Sequence, residues 1–188
     1  MKYRKGQFFV LGAVLIISLF FMGLPEKDTL ITERTDDIAY LFDNIHREYP
    51  FALNNALNMS EDTEASIDRL MNFTHFVDKI ASERLINYST LWVIGWNSSP
   101  SNFNVTVGNY LRYNTVVLLN LSGTEYYMNV NFNTTNSTEF TSVSDTFDMI
   151  ISYESEESNV TWVRDKVSLY ANIIMQRKDN IIKNELSR

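Results

Sequence analysis

Seventeen consecutive residues, Phe8 to Leu24, carry no charge and only one polar side chain, Ser18. At about 1.5 Å of rise per residue, a helix of that length nearly crosses a hydrocarbon core of roughly 30 Å. A buried helix of a soluble domain is usually shorter and amphipathic, so the run reads as a transmembrane helix over 7–24. Lys2, Arg4 and Lys5 precede it, whereas Glu26 and Asp28 outweigh Lys27 after it. The positive-inside rule then places the N-terminus in the cytoplasm and the C-terminal domain outside the cell membrane, as a single-pass protein. A removable secretory signal fits less well. The run exceeds the usual 7–15-residue apolar region, and Phe21-Met22-Gly23-Leu24-Pro25 puts bulky residues where an A-x-A-like cleavage site needs small ones.

The rest of the chain is acidic. Of 188 residues, 16 are Lys or Arg and 23 are Asp or Glu, a net charge of −7 that becomes −10 once the three leading positives are set aside. Such a balance excludes nucleic acid as a main partner. The absence of cysteine removes disulfide frameworks, thiolate metal sites and Cys nucleophiles together.

Periodicity divides the external part in two. Apolar residues at Ile31, Ile38, Leu41, Phe42, Ile45 and Tyr49 form one helical stripe, which Pro50 is expected to end or kink. A second helix is expected after Ser60, with Glu61, Asp62 and Glu64 complementing its dipole and Ile67, Leu70, Met71, Val77 and Ile80 forming its stripe. From residue 90 the pattern becomes that of strands: 91–96, 104–107, 115–121, 125–132 and 147–152, with Ser122-Gly123 as a turn. Residues 133–146, mostly Asn, Thr and Ser, read as a loop, and 154–158 as an acidic loop. The C-terminal stretch fits either a helix through Val163, Val167, Tyr170 and Ile174 or a hairpin of about 167–176 and 181–185. Its β-branched content and Lys178-Asp179-Asn180 favour the hairpin. The expected fold class is α+β: a basic leader at 1–6, the membrane helix at 7–24, a helical stem at 25–89 and an antiparallel β-sheet or sandwich head at 90–188.

Nine of 20 asparagines stand in N-x-[ST]: Asn58, Asn72, Asn87, Asn97, Asn104, Asn120, Asn133, Asn136 and Asn159. Composition alone would produce about 3.4 such triplets, so the excess points to N-glycosylation of an exposed surface. Asn97, Asn133, Asn136 and Asn159 fall in expected loops. Asn58, Asn87 and Asn104 are further candidates. Asn72, inside a helix, and Asn120, at the end of a central strand, are weaker.

Lys5-Gly6-Gln7 directly before an apolar helix resembles the class III, prepilin-type signal of archaeal type IV pilin-like proteins. The resemblance covers about 20 residues. It implies cleavage between Gly6 and Gln7 by a prepilin-type signal peptidase, with the apolar helix retained. It further implies a structural or assembly role alongside other copies or other pilin-like subunits. The family's usual hydroxyl and acidic residues would fall at Phe9 and Leu11, and neither is present.

No catalytic constellation stands out. His75 lies three residues before Asp78, but no nucleophile elbow accompanies it; His46 beside Arg47 and Glu48 reads as helix surface. Asp36-Asp37 and the Glu154, Glu156 and Glu157 cluster lack the glycine turn of a calcium loop. Six glycines leave little scope for phosphate-cradling loops. Trp92, Trp96 and Trp162 could make a binding face, but in a β domain they more often fill the core. The expectation is a non-enzymatic, cofactor-free and metal-free surface protein. The alternative is a membrane-anchored extracellular binding domain that does not polymerise.

Overall fold

The computed structural model describes residues 35–59, 63–99 and 102–187. The leader, Gly6, Gln7 and the apolar run lie outside them. Among the described residues two helices, α1 (Thr35–Met59) and α2 (Thr63–Glu83), precede nine strands. These are β1 (Asn87–Ser99), β2 (Asn102–Tyr110), β3 (Thr115–Leu121), β4 (Thr124–Val130), β5 (Thr134–Thr141), β6 (Thr146–Tyr153), β7 (Glu156–Val163), β8 (Ser168–Arg177) and β9 (Asn180–Ser187). Every pairing is antiparallel, in a five-stranded sheet ordered β5-β2-β1-β8-β9 and a four-stranded sheet ordered β4-β3-β6-β7. The protein is mixed α+β and mostly β. Among the described residues no helix is long and apolar enough to cross a membrane.

Side-chain alternation explains the layering. On β1, Leu91 and Val93 point one way and join Phe103, Val105, Val107, Val117, Leu119, Met149, Ile151 and Trp162 in a core between the two sheets. Tyr88, Trp92 and Ile94 point the other way, into a second core with Ile38, Phe42, Ile45, Tyr49, Leu53, Leu70 and Val77 of the helices. The two helices are therefore a layer packed on the five-stranded sheet. Each face of that sheet lodges an indole against a glycine. Trp92 lies over Gly108 beneath the helices, and Trp162 reaches Gly95 from the opposite sheet. Both rings are essentially buried, which settles these two tryptophans as core, while Trp96 packs partly buried at the edge of the helical core.

Pro50 neither ends nor visibly divides α1, which continues to Met59. Proline in a helix interior costs about 3 kcal/mol. Here the stripe extends one more turn to Leu53, and Tyr49, Pro50 and Leu53 are all buried, so packing offsets that cost. α2 ends in a Schellman motif. The Ile86 amide donates to the Ala81 carbonyl at 2.9 Å and the Leu85 amide to the Ser82 carbonyl at 3.0 Å, with Leu85 left-handed at φ 57°.

Residues 133–146 contain a strand rather than only a loop. β5 pairs along β2 from Asn102↔Thr141 to Asn109↔Thr134. It is an edge strand in which Phe140 alone is buried, so its polar composition reflects exposure while its threonines keep β propensity. The acidic loop shrinks to the turn at Glu154-Ser155, because β7 already begins at Glu156. The C-terminus is the hairpin, with Arg177↔Asn180 closing it and Lys178 left-handed.

The edge of the sandwich at β7 and β9 is closed by polar contacts between the sheets. Ser158 donates to Glu185 at 2.6 Å and shares a 3.1 Å bond with the Tyr170 hydroxyl, and Lys183 pairs with Glu156. Asn172, fully buried on β8, donates to the Tyr153 hydroxyl.

Candidate functional site

A cleft of about 340 Å³ lies where α2, the start of β1, the β2–β3 turn and the β4–β5 turn meet. Its walls are His75, Asp78 and Ser82 from one face of α2, Tyr88 and Tyr110 from the sheet, and Arg112, Phe132 and Asn133 from the turns. The volume lies at the small end of ligand pockets, about 300–1,000 Å³.

Asn109 holds this corner in place. Its carboxamide donates to the Tyr113 carbonyl at 2.8 Å and the Val130 carbonyl at 2.9 Å, and accepts from the Leu111 amide at 3.0 Å. Its backbone carbonyl takes the Asn133 amide at 2.8 Å. Fully buried and bonded through every polar atom of its side chain, it ties the β2–β3 turn to the end of β4. Arg112, left-handed at φ 75°, spans the mouth by donating to the Tyr88 carbonyl at 3.2 Å and pairing with Asp78 at 3.3 Å.

Beneath the cleft runs a chain of hydroxyls. Thr74 donates to the Leu70 carbonyl at 2.9 Å, so in its 3.1 Å bond with Tyr49 it is the acceptor, and Tyr49 in turn accepts from Tyr88. Burial pushes the Tyr49 phenol up to about 12, with its hydrogen bonds to Thr74 and Tyr88 pulling the other way. Burial also raises Tyr88 well above the ordinary value. Tyr110 is raised to about 12 by burial and then by the neighbouring Tyr49. Its hydroxyl is buried without a hydrogen-bond partner, and its ring meets His75 edge-on at 5.4 Å.

The cleft presents an aromatic floor and a polar rim, suited to holding a small polar molecule. It does not assemble a triad. His75 and Ser82 are seven residues apart on one helix, about 10.5 Å along its axis, beyond the hydrogen-bond reach that general-base catalysis requires. Asp78 is engaged with Arg112 rather than with His75. Among the described residues no group of three or more His, Asp or Glu is placed to hold a metal ion.

The asparagines singled out by sequence are not gathered into one site. Asn58 falls in the last turn of α1. Asn87, Asn97, Asn136 and Asn159 are exposed on strands, Asn133 is exposed at the β4–β5 turn, and Asn104 is half-buried on β2. Only Asn133 of the four expected in loops lies outside a strand, yet all four are exposed. Asn72 is exposed on α2, and Asn120 is half-buried on β3. The fully buried asparagines, Asn109 and Asn172, stand outside any sequon. Asn109, Arg112 and Tyr110 were not legible as a cluster. The one local signal was an asparagine within an otherwise apolar strand stretch, between Gly108 and Tyr110.

No protein family, curated protein or solved structure matches this chain.

Proposed function

We propose that the chain is a non-enzymatic, cell-surface structural subunit resembling a type IV pilin or minor pilin, anchored by residues 7–24 and exposing a glycosylated sandwich head. The observation that carries the reading is the partition of asparagines. All eight sequon asparagines with described side chains are exposed or half-buried, whereas the two fully buried asparagines are outside sequons. An acceptor asparagine must reach solvent, and this surface offers one on α2, β1, β2, β3, β5 and β7 and at the β4–β5 turn. Together with Lys5-Gly6-Gln7 and the apolar run, that distribution supports an extracytoplasmic head on a membrane helix.

The test is the mature N-terminus by mass spectrometry, on protein made in its native host, with sheared surface material probed for the chain. A chain beginning at Gln7 and present in sheared filaments is expected. An intact Met1, with nothing in the sheared fraction, would overturn the pilin reading. The cleft favours a second reading in that event. With its rim of His75, Asp78, Arg112 and Asn133, it would make the head a membrane-anchored binding domain for a small polar ligand.

A further inference from the structure

The outward face of the four-stranded sheet has no layer over it among the described residues, and it sets apolar side chains among its polar ones. Val116, Tyr127 and Val163 are 49%, 64% and 37% exposed on it, and Leu118 and Ile150 lie half-buried near its middle. Register places its residues in rows. Asn120 pairs with Glu125 on β4 and with Ile150 on β6, and Ile150 pairs with Asn159 on β7. Two sequon asparagines therefore bracket Ile150 in a single cross-strand row. They stand two strands apart, about 9.5 Å at the usual spacing. In the adjoining row Tyr127 pairs with Leu118, and Leu118 with Ser152.

We infer that Asn120 and Asn159 are a paired N-glycosylation site whose sugars cover the apolar centre of this sheet face. The inference rests on the decorated-surface reading above and specifies which acceptors serve it. The sequon hydroxyls separate these two from Asn72 and Asn104. Ser122 and Thr161 are exposed, Thr161 donating to the exposed Asp148 carboxylate at 2.7 Å, whereas Thr74 and Thr106, which complete the Asn72 and Asn104 sequons, are buried. The Asn120 Oδ1 accepts the Gly123 amide at 2.8 Å, a bond that does not involve Nδ2, the atom that is glycosylated. In the transfer, Nδ2 loses a proton and bonds to the sugar C1. The C1–O bond to a lipid-phosphate-linked oligosaccharide breaks, and the phosphate leaves with the electron pair. Both asparagines flank the same aliphatic side chain, so the apolar faces of their first sugars can lie over Ile150 and Leu118. Left bare, an apolar strip of this kind is a self-association surface.

Site-by-site glycopeptide mass spectrometry of the full chain from a glycosylating host tests the assignment. Glycan mass on both Asn120 and Asn159 is expected. Sugar on other sequons with either of these two bare would overturn the inference and leave the decorated-surface reading standing; a chain without any glycan would overturn both. Asn120→Gln/Asn159→Gln, checked for native circular dichroism, is then compared with Asn133→Gln. The double variant is expected to bind more hydrophobic dye and to shift from monomer toward dimer in size exclusion. Behaviour identical to Asn133→Gln would refute the covering role.

Discussion

Gly108 is where this fold leaves least room, and its replacement by alanine puts the packing argument at risk. A Cβ built there would stand 2.2 Å from Cε2 and 2.3 Å from Cζ2 of Trp92, against the 3.4–4 Å of ordinary contact. The indole would have to retreat by about 1.2 Å to restore that contact. Trp92 has no exposed surface, it stacks on Tyr110 with ring centroids 6.2 Å apart, and its core includes Tyr49, Tyr88 and helix residues. Interiors at crystal-like density hold no void to receive a displaced ring. Overpacking costs about 1–3 kcal/mol, and a rigid bicyclic ring belongs at the upper end. For a domain of this size about 3 kcal/mol lowers Tm by roughly 6–12 °C. Thermal unfolding followed by tryptophan fluorescence reads it, with Gly123→Ala as the comparison. A Cβ at Gly123 would meet nothing within 4 Å, but the residue sits at φ +96°. Its substitution should cost only the left-handed penalty, about 1 kcal/mol. A Gly108→Ala Tm at or above that of Gly123→Ala would refute the reasoning.

Leu85, 81% exposed and left-handed at the end of α2, should be improved by glycine. Leu85→Gly is expected to stabilise by about 0.5–1 kcal/mol in urea unfolding, whereas a loss would argue against the Schellman assignment. Asn109→Ala removes three side-chain hydrogen bonds at a buried corner. It should cost about 2–4 kcal/mol and raise amide exchange at Leu111 and Asn133, and exchange unchanged there would contradict its positioning role. In the hydroxyl chain Tyr49→Phe breaks two bonds and Tyr88→Phe one. The first should therefore cost about 2 kcal/mol against about 1 for the second, an order that chemical denaturation can reverse or uphold. Tyr49 and Tyr110 titrate near 12 when folded against 10.0 when unfolded. The stability they contribute is complete below pH 10 and lost as pH rises toward 12. Tyrosinate absorbance should then appear together with loss of near-ultraviolet dichroism, and titration of these phenols without unfolding would contradict their burial.

How much was legible in the residues depends on how local each cause is. The stripe Ile38, Leu41, Phe42, Ile45 and Tyr49 announced α1 because helical burial follows a short period. β3 was legible for a related reason: Val117 and Leu119 face the core, while Val116 and Leu118 are apolar without being fully covered. β5 was hidden because its stabilising partner is β2, about thirty residues away, while its own side chains face solvent. Pro50 does not end α1 for the same reason. The local cost of a proline is visible in sequence, but the sheet that Tyr49 and Leu53 bury against is not. The helices could be read as a stem because their stripe has no address; only the alternation on β1, with Tyr88, Trp92 and Ile94 on the face opposite Leu91 and Val93, reveals a second buried side that needs covering.

The cleft follows from that geometry, and so does its illegibility. Its residues lie on α2, on β1 and β2, and on two turns, and no spacing rule connects His75 to Arg112 or Asn133. What joins them is Asn109, whose carboxamide satisfies three backbone groups where the β2–β3 and β4–β5 connections pass between the two sheets. A buried amide with every polar atom engaged is more costly to remove than to keep, so its position is fixed by the turns it serves. Arg112 bonds both Asp78 and the Tyr88 carbonyl, and by taking both it determines the shape of the mouth. The Tyr110 hydroxyl remains buried in the wall of that corner without a partner among the described residues. Removing that hydroxyl takes away a buried polar atom and breaks no hydrogen bond. Tyr110→Phe should therefore keep or raise the unfolding free energy in urea, and a loss would show that the hydroxyl has a partner in the folded protein.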